Sequence, residues 1–250
     1  MTDDTDLGGP GSAFPVTRGS VVRAAADPDP ARSRHAREAV AAAYWKPVYK
    51  YLRLRWRCGN EDAKDLTQTF FARALEQDFF ERFDPARARF RTYVRLCVDG
   101  LVANQRRADG RLKRGGHVQL LPLDFDQADG ELLHCEPAAR EDPEDLFRHE
   151  WLRGLFGEAV EDLRRDCDGA GKAIHFALFQ RYDLAEHPEG SGPTYVQLAE
   201  EFGLPVTQVT NFLAAARRQF RRLVLDRLRA ATGGEEEYQE EVRRLFGGAP

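Results

Sequence analysis

FRTYVRLCVDGLV (Phe90–Val102) brings its apolar side chains back at a helical interval. Phe90, Tyr93, Val94, Cys97, Val98, Leu101 and Val102 fall at i, i+3, i+4, i+7, i+8, i+11 and i+12, one continuous stripe on a helix. Arg91, Arg95 and Arg106 are expected on the opposite side, and Asn104 at the rim. Working outward, the same periodicity recurs upstream over about Ala31–Arg57, with Pro47 bending the helix and Gly59 after its end, and over Asn60–Gln77, with Asn60 as an N-cap. The inner face of the latter is Ala63, Leu66, Phe70 and Ala74; Asp62, Asp65, Gln68, Thr69 and Arg73 lie largely on the other side. Alternating β-type runs are nearly absent, so the chain reads as all-α.

Downstream, TYVQLAEEFGLPVTQVTNFLAAARRQFRRL (Thr194–Leu223) carries a more specific signal. Thr194 and Gln197 have capping-box spacing, and Gly203 suits a left-handed helix end. Val206, Val209, Leu213, Ala216 and Phe220 form the inner stripe of a second helix. Thr207, Gln208, Thr210 and Asn211 are its outward N-terminal residues, and Arg217, Arg218, Arg221 and Arg222 follow on the outer side. This is the layout of a helix-turn-helix, whose second helix enters the major groove. Asn and Gln pair with adenine there, and arginines hold phosphates. A helical hairpin buried in a larger bundle is the plainer alternative.

Composition bounds the rest. The chain has 250 residues, 42% hydrophobic and 31% charged, with a formal net charge of −4. Of its 37 basic residues only Lys46, Lys50, Lys64, Lys113 and Lys172 are lysine. Arginine reads phosphates and bases with a planar fork. The charges segregate into a basic block over residues 86–114, an acidic block over 123–150 and a second basic block over 205–229, which suggests two anion-binding surfaces. Solvated helix faces would give the same runs. No stretch approaches the roughly 18 apolar residues of a membrane span, and the acidic start has no signal-peptide core. Cys58, Cys97, Cys135 and Cys167 form no CxxC pair, so a disulfide framework or zinc ribbon is not expected and a reducing cytoplasm is.

The division expected is a disordered tail (1–16), a three-helix module (17–115), a flexible acidic linker (116–142), a second helical module with the helix-turn-helix (143–230) and a C-terminal tail (231–250). The tail is a polar helix candidate containing Tyr238, Val242, Leu245 and Phe246. Gly169-Ala-Gly171-Lys172 lacks the glycine and hydroxyl positions of a phosphate loop. His134, Cys135 and His149 fit no standard zinc spacing. No cofactor, metal or catalytic residue is expected.

DAKDLTQTFFARAL (Asp62–Leu75), FDPARARFRTYVRLCVDGLVANQRR (Phe83–Arg107) and the Thr194–Leu223 segment, in that order, resemble a sigma factor of the extracytoplasmic-function type, the initiation subunit of bacterial RNA polymerase. The resemblance covers about residues 17–230 and implies two small helical domains, sigma region 2 and sigma region 4, with no catalytic activity of their own. It implies that Asp62, Asp65, Gln68 and Thr69 dock on core polymerase. Phe83 and Asn104 match positions that capture a flipped-out −10 base, Tyr93 an aromatic of the melting region, and Arg106 and Arg107 basic residues beside that DNA. Thr207, Gln208, Thr210, Asn211, Arg217 and Arg218 fall on the −35 reading helix. The partners implied are core polymerase, promoter DNA and an anti-sigma factor. Thr210, Asn211 and Phe212 depart from the family's frequent Lys-Ser-Arg run, so the promoter sequence does not carry over. A helix-turn-helix regulator that binds operator DNA without polymerase stays open as an alternative, and so does a helical scaffold or metal enzyme.

Overall fold

A computed structural model describes residues 21–76, 78–109, 123, 125–132, 142–186 and 192–247, and among them there is no strand. The expected tail 1–16 and most of the 116–142 connector lie outside these residues. The elements are α1 (Val21–Ala24), α2 (Pro30–Leu54), α3 (Asn60–Glu76), α4 (Phe90–Asp109), α5 (Phe125–Leu132), α6 (Pro143–Gly169), α7 (Ala173–Phe179) running into a π-helical turn (Gln180–Leu184), α8 (Tyr195–Phe202), α9 (Val206–Ala231) and α10 (Glu235–Phe246). No helix among the described residues is long and apolar enough to cross a membrane.

Local chemistry accounts for the ends. Asp29 caps α2 by accepting from the Ala31 amide, and Pro30 takes the first turn, where its missing N–H costs nothing. Asn60 opens α3, but its side chain accepts the Tyr49 hydroxyl. The left-handed residue after α2 is Arg57, at φ 52°, two positions before Gly59. Pro47 lies buried inside α2, and Gly154 of α6 faces its ring, so the two helices cross closely.

The stripe on α4 packs as its spacing requires: Phe90, Val94, Val98, Leu101 and Val102 are buried. They meet Tyr44, Tyr51 and Leu52 of α2 and Phe70 and Phe71 of α3 in one core. That core does not stop at the expected boundary near residue 143. Leu146, Phe147, Trp151, Leu155 and Ala159 of α6 belong to it, as do Val224, Leu228 and Ala231 of α9 and Tyr238 and Val242 of α10. From Val160 onward α6 serves a second cluster, where Leu163, Cys167, Phe176, Phe179 and Ala216 pack together. A third cluster of Leu178, Leu198, Ala199, Val209 and Leu213 holds α7, α8 and α9. Part of the connector, residues 125–132, is helical and packed. Within it α5 packs on α2 through Phe125 against Trp45 and Tyr49, and Asp129 accepts from Arg53 and Tyr49.

Buried charge marks the joins. Lys50 on α2 pairs with Glu150 on α6 at 3.2 Å, with both side chains almost fully enclosed. Arg91 of α4 was expected to face solvent and instead is 1% exposed, paired with Glu241 of α10 and Glu144 of α6 and set over the Trp151 ring. The correction has a simple cause: two carboxylates and an indole from distant segments cover that face of α4.

Candidate nucleic-acid interface

α8 begins with the capping box read from the sequence. The Thr194 side chain accepts from the Gln197 amide, and the Gln197 side chain accepts from the Thr194 amide. Gly203 ends the helix at φ 64°, a conformation open to glycine at little cost. Pro205 then starts α9. Because Val209, Leu213 and Ala216 point inward, the first two turns of α9 turn Thr207, Gln208, Thr210 and Asn211 outward, and all four are exposed. The Thr210 hydroxyl donates to the Val206 carbonyl, leaving its methyl at the surface. Phe212 is half-buried and stacks on His175 with ring centroids 4.2 Å apart; burial holds that imidazole's pKa below the usual histidine range, with Lys172 adding to the effect.

The arginines that follow divide. Arg217 donates to both Asp183 carboxylate oxygens and to the Tyr195 hydroxyl, with its guanidinium over Tyr182. Those hydrogen bonds raise its pKa further and fix its direction. Arg218 stays exposed, as do Arg221, which lies over the Phe246 ring, and Arg222, 4.0 Å from Asp166.

The residues read as the melting surface separate into two places. Phe83 is half-buried, its ring 5.0 Å from Phe90 and 5.5 Å from Tyr93. The Tyr93 hydroxyl donates to the Phe79 carbonyl, and burial pushes the phenol up to about 12. Asn104, Arg106 and Arg107 are exposed three to four turns further along α4, about 16 to 21 Å from Tyr93 along the axis at 1.5 Å per residue. Phe83 and Asn104 are therefore not side by side. Arg106 instead lies over Trp56, 4.8 Å from the ring centroid, and donates to the Trp56 carbonyl, while Arg55 approaches the same indole at 5.9 Å. Asp99 accepts from the Trp56 indole N–H and fixes the ring. This indole between two guanidinium groups was not singled out from the sequence. Its signal is the Arg55-Trp56-Arg57 run, which only the fold brings to the end of α4.

On α3, Asp62 and Asp65 are exposed and Thr69 is half-buried. Gln68, expected beside them on the outer face, is 7% exposed. It flanks the apolar stripe and is covered. The Arg95 guanidinium, expected outside, bridges Glu144 and Asp99. Burial alone would raise the Glu144 pKa, but donation from the Thr92 hydroxyl and Arg95 brings it below the usual glutamate range.

Among the described residues, no three His, Cys, Asp or Glu side chains gather closely enough to hold a metal ion. His134 and Cys135 lie outside those residues.

Residues 40–112 match the family model of Sigma-70 region 2, fewer than a third of the chain but all of α3 and α4 and the greater part of α2. The match supports a sigma-70 relationship for this segment and a sigma-factor-like role in transcription initiation. Comparisons with curated proteins and with solved structures returned no match.

Proposed function

We propose that the protein is an extracytoplasmic-function type sigma factor. It binds bacterial core RNA polymerase in the cytoplasm, recognises −35 and −10 promoter elements and helps to open the start site, without catalysis of its own. The observation that carries this reading is the order of two features: the Sigma-70 region 2 match over residues 40–112, then the helix pair α8 and α9, joined at Gly203, with Thr207, Gln208, Thr210 and Asn211 exposed at the start of α9. Asp62, Asp65 and Thr69 would meet the polymerase. Gln68 would act there through the packing of α3. Arg106 and Arg107 would follow the DNA strand, and Arg218 the phosphates near the −35 element. An anti-sigma factor remains part of the proposal. Electrostatic contacts of this kind position the protein, and base-edge contacts select the sequence.

Run-off transcription with purified core polymerase on genomic promoter fragments tests the proposal. Specific transcripts that require this protein are expected. DNA binding without polymerase-dependent initiation would overturn it in favour of a stand-alone helix-turn-helix regulator.

A further inference from the structure

Helix α10 and the turn before it lie on the aromatic surface that the sigma reading gives to the opened promoter. The Gly233 backbone rests on the Phe83 ring so closely that a Cβ added there would come within 2.6 Å of two ring carbons. The Tyr44 hydroxyl donates to the Ala231 carbonyl at 2.7 Å. One Glu237 oxygen accepts from the Phe90 amide at 3.1 Å and from the Gly233 amide at 2.8 Å, tying the start of α4 to the turn. Next along α10, Glu240 accepts from Arg89 at 2.6 and 3.1 Å. Glu241, fully buried, pairs with Arg91 and Arg148. Tyr238 and Val242 fill the core beneath.

We infer that α10 is an intramolecular clasp: an acidic helix that occupies the arginine-rich face at the start of α4, covers Phe83, and must swing away before that face meets nucleic acid. The inference rests on the sigma reading. Its charge argument is independent of that reading, because Glu240 and Glu241 stand where the phosphates of a polyanion would neutralise Arg89 and Arg91. The clasp has two parts: the ion pairs and main-chain hydrogen bonds, which water and a competing polyanion can replace, and the Tyr238 and Val242 contacts, which set the cost of opening. Buried ion pairs add little to stability over apolar packing, and their best-attested use is in registry and switching. The Gly233-Gly234 pair between α9 and α10 provides the pivot.

The test uses the full chain, bacterial core RNA polymerase and a DNA duplex with an unpaired central bubble. Two variants are compared with the parent: Glu240→Arg, which opposes Arg89 at the rim of the clasp, and the exchanged pair Arg89→Glu with Glu240→Arg. In Glu240→Arg, amides 235–246 are expected to exchange hydrogen faster, and the holoenzyme to bind bubble DNA about threefold more tightly, the scale of one rim ion pair. The exchanged pair returns both measures toward the parent. In the parent, adding core polymerase and bubble DNA speeds exchange across 235–246. The clasp is overturned, with the sigma reading intact, by normal assembly on core together with faster exchange and no gain in DNA affinity. It is equally overturned by an exchanged pair that behaves like the single variant, or by α10 remaining protected in the complex. Failure of all three chains to assemble with core overturns the sigma reading, and the clasp with it.

Discussion

The arginines at the start of α4 and those along α9 come from runs of similar charge and end in different surroundings. At the start of α4, Arg89, just before the helix, and Arg91 and Arg95 on it are each taken up by carboxylates of α6, α10 or α4 itself. On α9, Arg217 and Arg227 are likewise tied to Asp183 and to Glu158 and Asp162, while Arg218 and Arg221 are exposed and Arg222 makes only an exposed pair with Asp166 at 4.0 Å. A basic run is therefore two things at once. It holds the protein's own segments together where acidic segments fold back on it, and it leaves guanidinium groups open to solvent elsewhere. Apart from Asp99, four residues from Arg95, the carboxylates that make the difference stand 34 to 151 residues from their arginines, so most of each run's use is not written locally.

The largest effect that would sharpen this contrast is on stability. Arg91→Met leaves Glu241 and Glu144 short of a partner inside the protein and is expected to cost about 3 kcal/mol in urea unfolding. Arg218→Ala is expected to stay within about 0.5 kcal/mol. Similar losses from the two changes would erase the distinction between anchoring and surface arginines.

A smaller effect separates the glycines of the two regions. Gly203→Ala, at φ 64°, should lower stability by about 1 kcal/mol through the left-handed backbone alone, since nothing lies within 4 Å of the added methyl. Gly100→Ala, mid-helix on α4 with equally open space, should raise it by about 0.5–1 kcal/mol. Thermal unfolding of the two variants gives opposite signs if the backbones differ in this way.

The smallest effect is in pH. Glu144 has a folded pKa below the ordinary glutamate value, so its contribution is complete above that value and is lost as pH falls through the depressed one. Glu237 has the opposite sign, because burial outweighs the bonds from Phe90 and Gly233 and raises its pKa. Its contribution is complete below the ordinary value and is lost as pH rises through the elevated one. Urea midpoints between about pH 5 and about pH 3 should fall less in Glu144→Gln than in the parent. An equal fall would remove Glu144 from the acid response.

What was legible in the sequence is what neighbours within a few residues determine. The stripe from Phe90 to Val102, the Thr194–Gln197 cap and the Gly203 turn each rest on i to i+4 relations, and each is present as read. The exposure of Thr207, Gln208, Thr210 and Asn211 followed from the same periodicity. The burial of Arg91 and Gln68, the cover over Phe83 and the distance between Phe83 and Asn104 depend on segments far away in the chain, and side-chain spacing carries no record of them. That a core runs across the expected boundary near residue 143 has a related reason. Pro143 does start a helix, capped by Asp142, but one helix then serves two cores.

The bond from Tyr44 to Ala231 spans 187 residues, and the core it seals also takes in Tyr238 and Val242. During synthesis the amino-terminal helices leave the ribosome long before those partners exist. Their aromatic faces stay uncovered until residues 231–242 have emerged, so the newborn chain passes through a stage in which chaperones have an apolar surface to hold.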